Sequence, residues 1–253
     1  MKAPTTISLD PELSPLDNFR AGQLLLIDKP LTWTSFQVVN KIRYIIKNGL
    51  KIKKIKVGHA GTLDPLATGL LVLCVGKKTK EIAGFIGQGK TYTGTFTIGA
   101  TRPSFDKETE VDQTFKTSHI DEELILKTAK SFIGKQEQTP PIFSAKKVNG
   151  VRSYKNARAG IDVKLKPNPI EIFKFDIIST RNSEENGLEV DFLIEASKGT
   201  YIRSIANDFG KRLNSGAYLS ALRRTESGEF SIDNSMTIEG FEEWYEGYIG
   251  GSF

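Results

Sequence analysis

VGHAGTLDPLATGLLVLCVG, residues 57–76, joins a glycine-rich segment to a run that is almost wholly apolar. The run LLVLCV has the length and composition of a buried β-strand. Asp64 stands just before this strand, although aspartate is rarely buried without a partner. Pro65 biases Asp64 toward an extended backbone and removes the amide donor that would follow it. The stretch therefore predicts a carboxylate held at the mouth of a buried strand. The alternative is a Leu-Asp-Pro turn with a purely structural role.

The composition is that of a globular protein with a sizeable core. The chain has 253 residues, of which 38% are hydrophobic and 26% charged, enough for one large domain or one domain with a small appendage. One cysteine excludes an internal disulfide, and two distant histidines argue against a structural zinc site. The N-terminus has no secretory signal, and no apolar run is long enough to span a membrane. We expect a cytoplasmic protein.

The charge is distributed unevenly along the chain. The net charge is +5, yet the residues after Arg224 include seven acids and no lysine or arginine. Between Asp28 and Asp64 there is no acid, but there are eight cations: Lys29, Lys41, Arg43, Lys47, Lys51, Lys53, Lys54 and Lys56. An ordinary solvated face would explain a single run of this kind. Because this run leads directly into the Asp64 stretch, it favours a polyanionic partner, and nucleic acid is the commonest such partner.

The hydrophobic pattern predicts alternating strands and helices. Strands are predicted at 23–28, 70–75, 91–98, 170–178 and 188–195, and Asn149-Gly150 and Asn186-Gly187 predict hairpin turns. Helices are predicted from Thr34 or Ser35 to Gly49 with Phe36, Val39, Ile42 and Ile46 at helical spacing, from Asp121 through Phe132, and from Tyr201 to Leu213. Hairpins with helices inserted between them predict an α+β fold, with a largely antiparallel mixed sheet flanked by helices.

Two familiar catalytic motifs find little support in the sequence. GKKT at 76–79 is similar to the end of a Walker A motif, but position 71, where that motif needs a glycine, is leucine. No GxSxG string occurs, so a serine hydrolase of that type is also disfavoured.

The Asp64 stretch resembles the signature of the TruB family of tRNA pseudouridine synthases. The matching string is GHAGTLDPLATGLLVLCVGKKTK, and further blocks of the family follow in order: LLLIDKPLTWTSFQVVNKIR, KTYTGTFTIGA, TPPIFSAKKVNGVRSYKNARAG and SKGTYIRSIANDFG. The resemblance covers roughly residues 20–232. It implies the pseudouridine synthase fold and an isomerase that detaches a tRNA uridine from C1′ and rejoins it through C5. The T-loop uridine at position 55 would be the substrate, flipped out of the RNA before reaction.

The resemblance also implies roles for individual residues. Asp64 would be the catalytic nucleophile, with the atom that it attacks left open, and Arg203 would be its ion-pair partner. Tyr92 would stack on the flipped base, and His59 would fill the gap left in the loop. Tyr201 and Leu222 would line the uridine pocket, while Lys29 would contact phosphate together with the basic 41–56 stretch. Without the family context, the tyrosines and Leu222 would be taken as core residues and Arg203 as a surface residue. No cofactor or metal is implied, since the reaction is an isomerisation.

The domain organisation departs from many relatives. We expect an N-terminal extension over 1–19, a catalytic domain over 20–235, and a short acidic helix or tail over 236–253 in place of an RNA-binding domain of the PUA type. The family's Thr-Asp-Thr-x-Asp string is replaced by TRPSFDKETEVD, in which only Asp106 clearly matches, so that segment receives no role. We expect a monomer that binds the tRNA T-arm without an obligatory protein partner or a membrane. The alternative is a non-catalytic RNA-binding or tRNA-chaperone protein on the same fold.

Overall fold

The computed structural model describes residues 7–144, 147–148, 151–153, 165–183 and 187–251. The helices are α1 (Pro15–Ala21), α2 (Ser35–Gly49), α3 (Ile82–Ile86), α4 (Glu122–Lys130), α5 (Ile202–Arg212) and α6 (Ile238–Ile249). The strands are β1 (Gln23–Lys29), β2 (Val57–His59), β3 (Ala67–Val75), β4 (Lys90–Ile98), β5 (Ala100–Thr101), β6 (Gln113–Thr114), β7 (Gly134–Gln138), β8 (Lys147–Val148), β9 (Val151–Arg152), β10 (Asn168–Ser183), β11 (Gly187–Ala196), β12 (Ala217–Ser227) and β13 (Phe230–Ser231). Short 3-10 helices cover Gly76–Glu81 and Ile232–Asn234.

The chain forms two compact units, where the sequence predicts one domain over 20–235. Unit 1 comprises Met1–Lys90 with Arg223–Phe253, and unit 2 comprises Thr91–Leu222. The boundaries fall inside β4 and β12 and not in a linker, so no change in composition marks them. None of the helices in the described part of the chain combines the length and apolar character needed to cross a membrane.

Unit 1 is built around β3, which corresponds to the apolar run of the opening stretch. β3 pairs antiparallel with β1, from Gln23↔Val75 to Lys29↔Gly69, and with β2. Successive side chains of a strand point to opposite faces, and both faces of β3 are covered. Leu71, Leu73 and Val75 join a core with α2 and α6, while Leu70, Val72 and Cys74 pack with apolar residues of β1 on the other face. Double coverage explains the unbroken apolar run.

The predicted helix after β1 is confirmed, but one of its apolar residues is placed differently. Thr34 caps α2, and its side chain and that of Gln37 form a reciprocal capping box. Val39, Ile42 and Ile46 are buried as their spacing predicts. Phe36 is not: it is 64% exposed, because the inward face of the first turn is taken by Ser35 and Val38.

The C-terminal acidic segment forms α6 over most of its length and packs into unit 1. Phe241, Trp244 and Tyr245 are buried in the core that includes α2. The Tyr245 hydroxyl donates a hydrogen bond of 3.0 Å to the carbonyl of Ile46. The glutamates lie on the outer side, where Glu242 forms a 2.8 Å salt bridge with Lys41.

Unit 2 contains a sheet with the strand order β12, β4, β11, β10, β7, of which the Ala217–Leu222 part of β12 belongs to this unit. The predicted antiparallel pair is confirmed: β10 and β11 pair from Ile172↔Ala196 to Ser183↔Gly187. Helix α5 begins after Tyr201 and buries Ile202, Ile205, Ala206 and Phe209, as predicted. The core is a cluster of phenylalanines: Phe96, Phe132, Phe175, Phe192 and Phe209. Of the predicted hairpin turns, Asn149, Gly150 and Asn186 lie outside the described residues, although β8 and β9 do pair antiparallel.

Candidate active site

Asp64 opens a tight turn that leads directly into β3. The amide of Ala67 donates to the Asp64 carbonyl at 3.1 Å, which closes a four-residue turn with Pro65 in its second position. The next carbonyl, that of Pro65, accepts a 2.8 Å hydrogen bond from the amide of Thr32. Asp64 itself is half-buried. The turn gives the carboxylate a fixed backbone position.

The residue before Asp64 is held just as firmly by α2. Leu63 is 3% exposed, and both of its backbone groups bond to one side chain. The Ser35 hydroxyl accepts from the Leu63 amide at 2.8 Å and donates to the Leu63 carbonyl at 3.0 Å. A buried serine in the first turn of α2 therefore fixes the chain beside Asp64.

Arg224 supports the glycine-rich side of the motif from within unit 1. Its guanidinium is buried, and Nε donates to the Leu70 carbonyl at 2.7 Å while NH2 donates to the Gly61 carbonyl at 3.2 Å. Gly69 has φ of +104°, and a Cβ there would lie 2.3 Å from the Arg224 carbonyl oxygen. Only glycine permits this approach between β3 and β12.

Lys29 is placed differently from the predicted phosphate contact. It is fully buried, and its ammonium donates to the carbonyls of Pro30 at 2.9 Å and Trp33 at 2.6 Å. Burial lowers the pKa of Lys29 to about 8; the Asp64 carboxylate opposes this shift and the Arg224 guanidinium adds to it. A side chain buried in this way has no free donor on the surface for phosphate. Lys29 instead holds the 30–33 turn and places a positive charge near Asp64.

His59 lies at the end of β2, on the same glycine-rich segment. Burial lowers its pKa, with a smaller lowering by Arg224, against a hydrogen bond to Gly61 that raises it. Its Nδ1 is buried without a hydrogen-bond partner in the described structure. The imidazole is therefore held in its neutral form near neutral pH.

Within unit 2, Arg203 is fixed by a loop that received no role from the sequence. Arg203 is 5% exposed in the first turn of α5, and its Nε lies 3.5 Å from Oδ2 of buried Asp106. Its NH1 also donates to the Ser104 carbonyl at 3.3 Å. Phe105, between them, has φ of +63°, a left-handed conformation that a bulky side chain rarely adopts. Its carbonyl accepts from the amide of Leu219 on β12, which anchors the loop.

The other predicted pocket residues also lie in unit 2. Tyr92 is 9% exposed on β4, and Leu222 is half-buried on β12. Tyr201, half-buried at the start of α5, is clamped by the buried Gln138 amide, which accepts from the Tyr201 amide at 2.8 Å and donates to its carbonyl at 3.0 Å. Each of these residues therefore has a backbone position set by a strand or by the start of a helix.

Metal coordination finds no support in the described residues. Residues 7–144, 147–148, 151–153, 165–183 and 187–251 contain no group of three or more His, Cys, Asp or Glu arranged to hold an ion. Cys74 is buried in β3, and burial raises its pKa to about 11, so it stays a thiol at neutral pH.

Two family models match most of the chain. The TruB family pseudouridylate synthase N-terminal domain matches residues 47–202, and the tRNA pseudouridylate synthase B C-terminal domain matches residues 203–249. The chain belongs to the TruB family. The second match extends through α6 and so includes most of the segment predicted as a short acidic helix or tail.

Curated TruB relatives match at high identity. Proteins named tRNA pseudouridine synthase B are 54% identical in Flavobacterium johnsoniae, covering 90% of this chain and 97% of the relative, and 50% identical in Phocaeicola vulgatus, covering 90% and 95%. Among solved structures, the crystal structure of a Cbf5-Nop10-Gar1 complex matches with a TM-score of 0.71 at 25% identity. The match covers the whole of this chain but 63% of that one, so this chain spans less than two thirds of its length. The structural match and the family match together confirm the α+β pseudouridine synthase fold.

Sequence reasoning missed three residues that position the TruB motif residues. Ser35 and Arg224 bond to backbone groups of the Asp64 segment, and Asp106 pairs with Arg203. The sequence did contain a signal for Asp106, because this residue is the clear match to a family string within 101–112. Ser35 and Arg224 had none, because backbone partners are invisible in a sequence.

Proposed function

We propose that this protein is a tRNA pseudouridine synthase that converts the T-loop uridine at position 55 to pseudouridine. The observation that carries the proposal is the hydrogen bonding of the backbone around Asp64. Leu63 is bonded to Ser35, the Asp64 carbonyl to the Ala67 amide, and the Pro65 carbonyl to the Thr32 amide. Membership of the TruB family supports the same reaction. A protein that only binds RNA has no need for a carboxylate preorganised in this way.

The reaction breaks the C1′–N1 bond, turns the base, and forms a C1′–C5 bond. C5 loses a proton and N1 gains one, so no atom is added and no electron is exchanged with a cofactor. Asp64 acts as the nucleophile toward the uridine as positive character develops on the sugar. A fixed carboxylate lowers the barrier because its orientation cost has already been met by folding. The Lys29 ammonium, whose own pKa the Asp64 carboxylate raises against the lowering by burial, places a positive charge near the reacting group.

The remaining motif residues bind the flipped uridine and the RNA around it. Tyr92 stacks on the base, and Tyr201 and Leu222 line its pocket. Arg203, whose guanidinium is held by Asp106, is the arginine that the family resemblance assigns to the active site. His59 fills the space that the uridine leaves. A neutral imidazole suits that role, since it stacks among bases without the cost of burying a charge.

The surroundings of the reaction follow from the same proposal. The substrate is tRNA, bound through its T-arm, and the exposed lysines at 51, 53 and 54 contact phosphates. The enzyme works as a monomer in the cytoplasm, with neither a cofactor nor an obligatory protein partner.

The test is a conversion assay on an unmodified tRNA transcript, with Asp64→Asn as the matched variant. We expect pseudouridine at position 55 from the unaltered protein and none from Asp64→Asn, which keeps the shape of the side chain but not its charge. Binding of the transcript without conversion by the unaltered protein would instead support the non-catalytic alternative. Gel filtration of the protein with and without tRNA tests whether it is a monomer in both states.

A further inference from the structure

Helix α2 exposes two aromatic rings on its outer side. Phe36 is 64% exposed and Tyr44 is 59% exposed, and exposed Asn40 lies midway between them. Side chains four residues apart share one face of a helix, so the three form a continuous line, which we call the α2 stripe. Every other large apolar side chain from Val38 to Ile46 is buried. The stripe is therefore not needed by the core of unit 1.

The α2 stripe begins next to Asp64. The Ser35 hydroxyl bonds to both backbone groups of Leu63. Phe36 is the residue after Ser35 and Asp64 is the residue after Leu63, so these bonds hold the start of the stripe beside the Asp64 turn. A helix rises about 1.5 Å per residue, which puts Tyr44 about 12 Å farther along the axis. The stripe therefore extends outward from the proposed reaction centre.

Other exposed apolar side chains border the same turn. Leu31 is 54% exposed and Leu66 is 36% exposed. The hydrogen bond from the Thr32 amide to the Pro65 carbonyl links the segments that carry them. Leu31 and Leu66 thus give the turn exposed apolar surface of its own, from which unpaired bases would displace water.

The charge near the α2 stripe favours RNA over a protein partner. No acid occurs between Asp28 and Asp64, Arg43 and Lys47 flank the stripe, and α2 leads into the exposed lysines at 51, 53 and 54. Phe36 and Tyr44, with the polar Asn40 between them, offer two ring faces for base stacking, whereas a protein interface buries a larger contiguous apolar core.

We propose that the α2 stripe is a base-contacting RNA surface, in which Phe36 stacks on an unpaired base flanking the target uridine and Tyr44 contacts a base farther from it. The proposal rests on the proposed function for its substrate. It adds a contact outside the pocket for the flipped uridine, and it gives the otherwise unexplained exposure of Phe36 a purpose.

The experiment measures the affinity of a synthetic T-arm hairpin by fluorescence anisotropy, using Phe36→Ala, Phe36→Leu and Phe36→Tyr. Stacking on one base predicts that Phe36→Ala and Phe36→Leu weaken binding by about tenfold and that Phe36→Tyr stays within about twofold of the unaltered protein. In a second hairpin, the nucleotides flanking the target are abasic, and there the loss caused by Phe36→Ala shrinks to less than about twofold. Ile86→Ala, an exposed apolar residue on α3, is the control and leaves both affinities unchanged.

Three outcomes would overturn the proposal. Equal affinity of Phe36→Ala and the unaltered protein for the first hairpin would show that Phe36 does not contact the RNA. An undiminished Phe36→Ala loss on the abasic hairpin would exclude stacking. A dimer in sedimentation experiments that dissociates on Phe36→Ala would make the stripe a protein interface. Thermal melting checks that each variant is folded, and Tyr44→Ala gives an independent measurement on the same stripe. Because binding is measured apart from conversion, failure of the proposed enzymatic activity would appear only in the conversion assay.

Discussion

Ser35 makes two hydrogen bonds to a residue 28 positions away, and both concern the backbone next to Asp64. Replacing it with alanine leaves the buried amide and carbonyl of Leu63 without partners. We expect Ser35→Ala to lower the free energy of unfolding by about 1–3 kcal/mol. We also expect it to slow conversion by about tenfold or more, because a small displacement of a reacting group is costly in rate.

Thr34→Ala is the matched control for Ser35→Ala. Thr34 caps the same helix, and its loss costs about 1 kcal/mol, but it makes no bond to Leu63. The comparison of denaturant unfolding with single-turnover rates therefore separates helix stability from positioning of Asp64. If both variants slow conversion equally, Ser35 has no special role at the site.

Lys29 provides a pH-dependent signature. Its pKa is about 8 in the folded protein, against an ordinary value of 10.5 for a lysine exposed to water, as in the unfolded chain. Between these values the unfolded chain binds more protons, so the Lys29 contribution to stability rises with pH. Below pH 8 both states are protonated and the cost of burying the charge is fully present. We expect the unfolding free energy of the unaltered protein minus that of Lys29→Met to rise by up to about 3 kcal/mol from pH 8 to 10.5. A flat or falling difference would contradict the assigned burial.

Single residues show where prediction from sequence succeeds and where it stops. The position of Asp64 at the mouth of β3 could be predicted from the proline and the apolar run that follow it, but its catalytic role came from the family resemblance and stays a prediction. The burial of Lys29 could not be predicted, because its partners are the carbonyls of Pro30 and Trp33, and every residue has a carbonyl. The roles of Tyr92, Tyr201, Arg203 and Leu222 came from the family resemblance and stay predictions until variants are measured.

At the scale of elements, α6 is a supporting element of unit 1 despite its acidic composition. Trp244 is 2% exposed, stacks on Tyr248 with ring centroids 5.6 Å apart, and contacts Phe241. We expect Trp244→Ala to destabilise the protein by about 3–5 kcal/mol, since it empties a large buried volume. Glu243→Ala on the exposed face of the same helix should change the unfolding free energy by less than about 0.5 kcal/mol. Comparable effects of the two in denaturant unfolding would mean that α6 adds nothing to the core.

The spacing of apolar residues predicted most helices and strands, but not which of their side chains face the core. β1 and α5 appear almost at the predicted bounds because their patterns are consistent, while β3 begins three residues before the predicted strand and ends where predicted. The period of α2 assigns Phe36 to the apolar face, yet the first turn of a helix is shaped by its cap and by the chain that enters it. Ser35 takes the inward position there, and no pattern of apolar residues could predict that.

At the scale of the whole molecule, the charge pattern of the chain separates two surfaces within unit 1. The acids after Arg224 lie largely on α6, and one of them, Glu242, neutralises Lys41 of α2. The exposed lysines at 51, 53 and 54 have no acid near them in the sequence. The net charge of +5 therefore understates the positive potential that an RNA backbone would meet at this loop.

This pattern predicts the salt dependence of RNA binding. Changing Lys51, Lys53 and Lys54 to glutamine should weaken tRNA affinity and reduce the slope of log Kd against log salt by about 1 for each lysine that touches a phosphate. The control changes Lys116, Lys127 and Lys130 of unit 2 to glutamine, which are equally exposed and remove the same charge. We expect the control to shift affinity slightly without changing the slope, because long-range attraction is screened beyond about 10 Å at 0.1 M salt. Filter-binding titrations between low and moderate salt measure both quantities. Identical slopes for the two triple variants would mean that the 51–54 loop senses tRNA only through net charge and does not contact it.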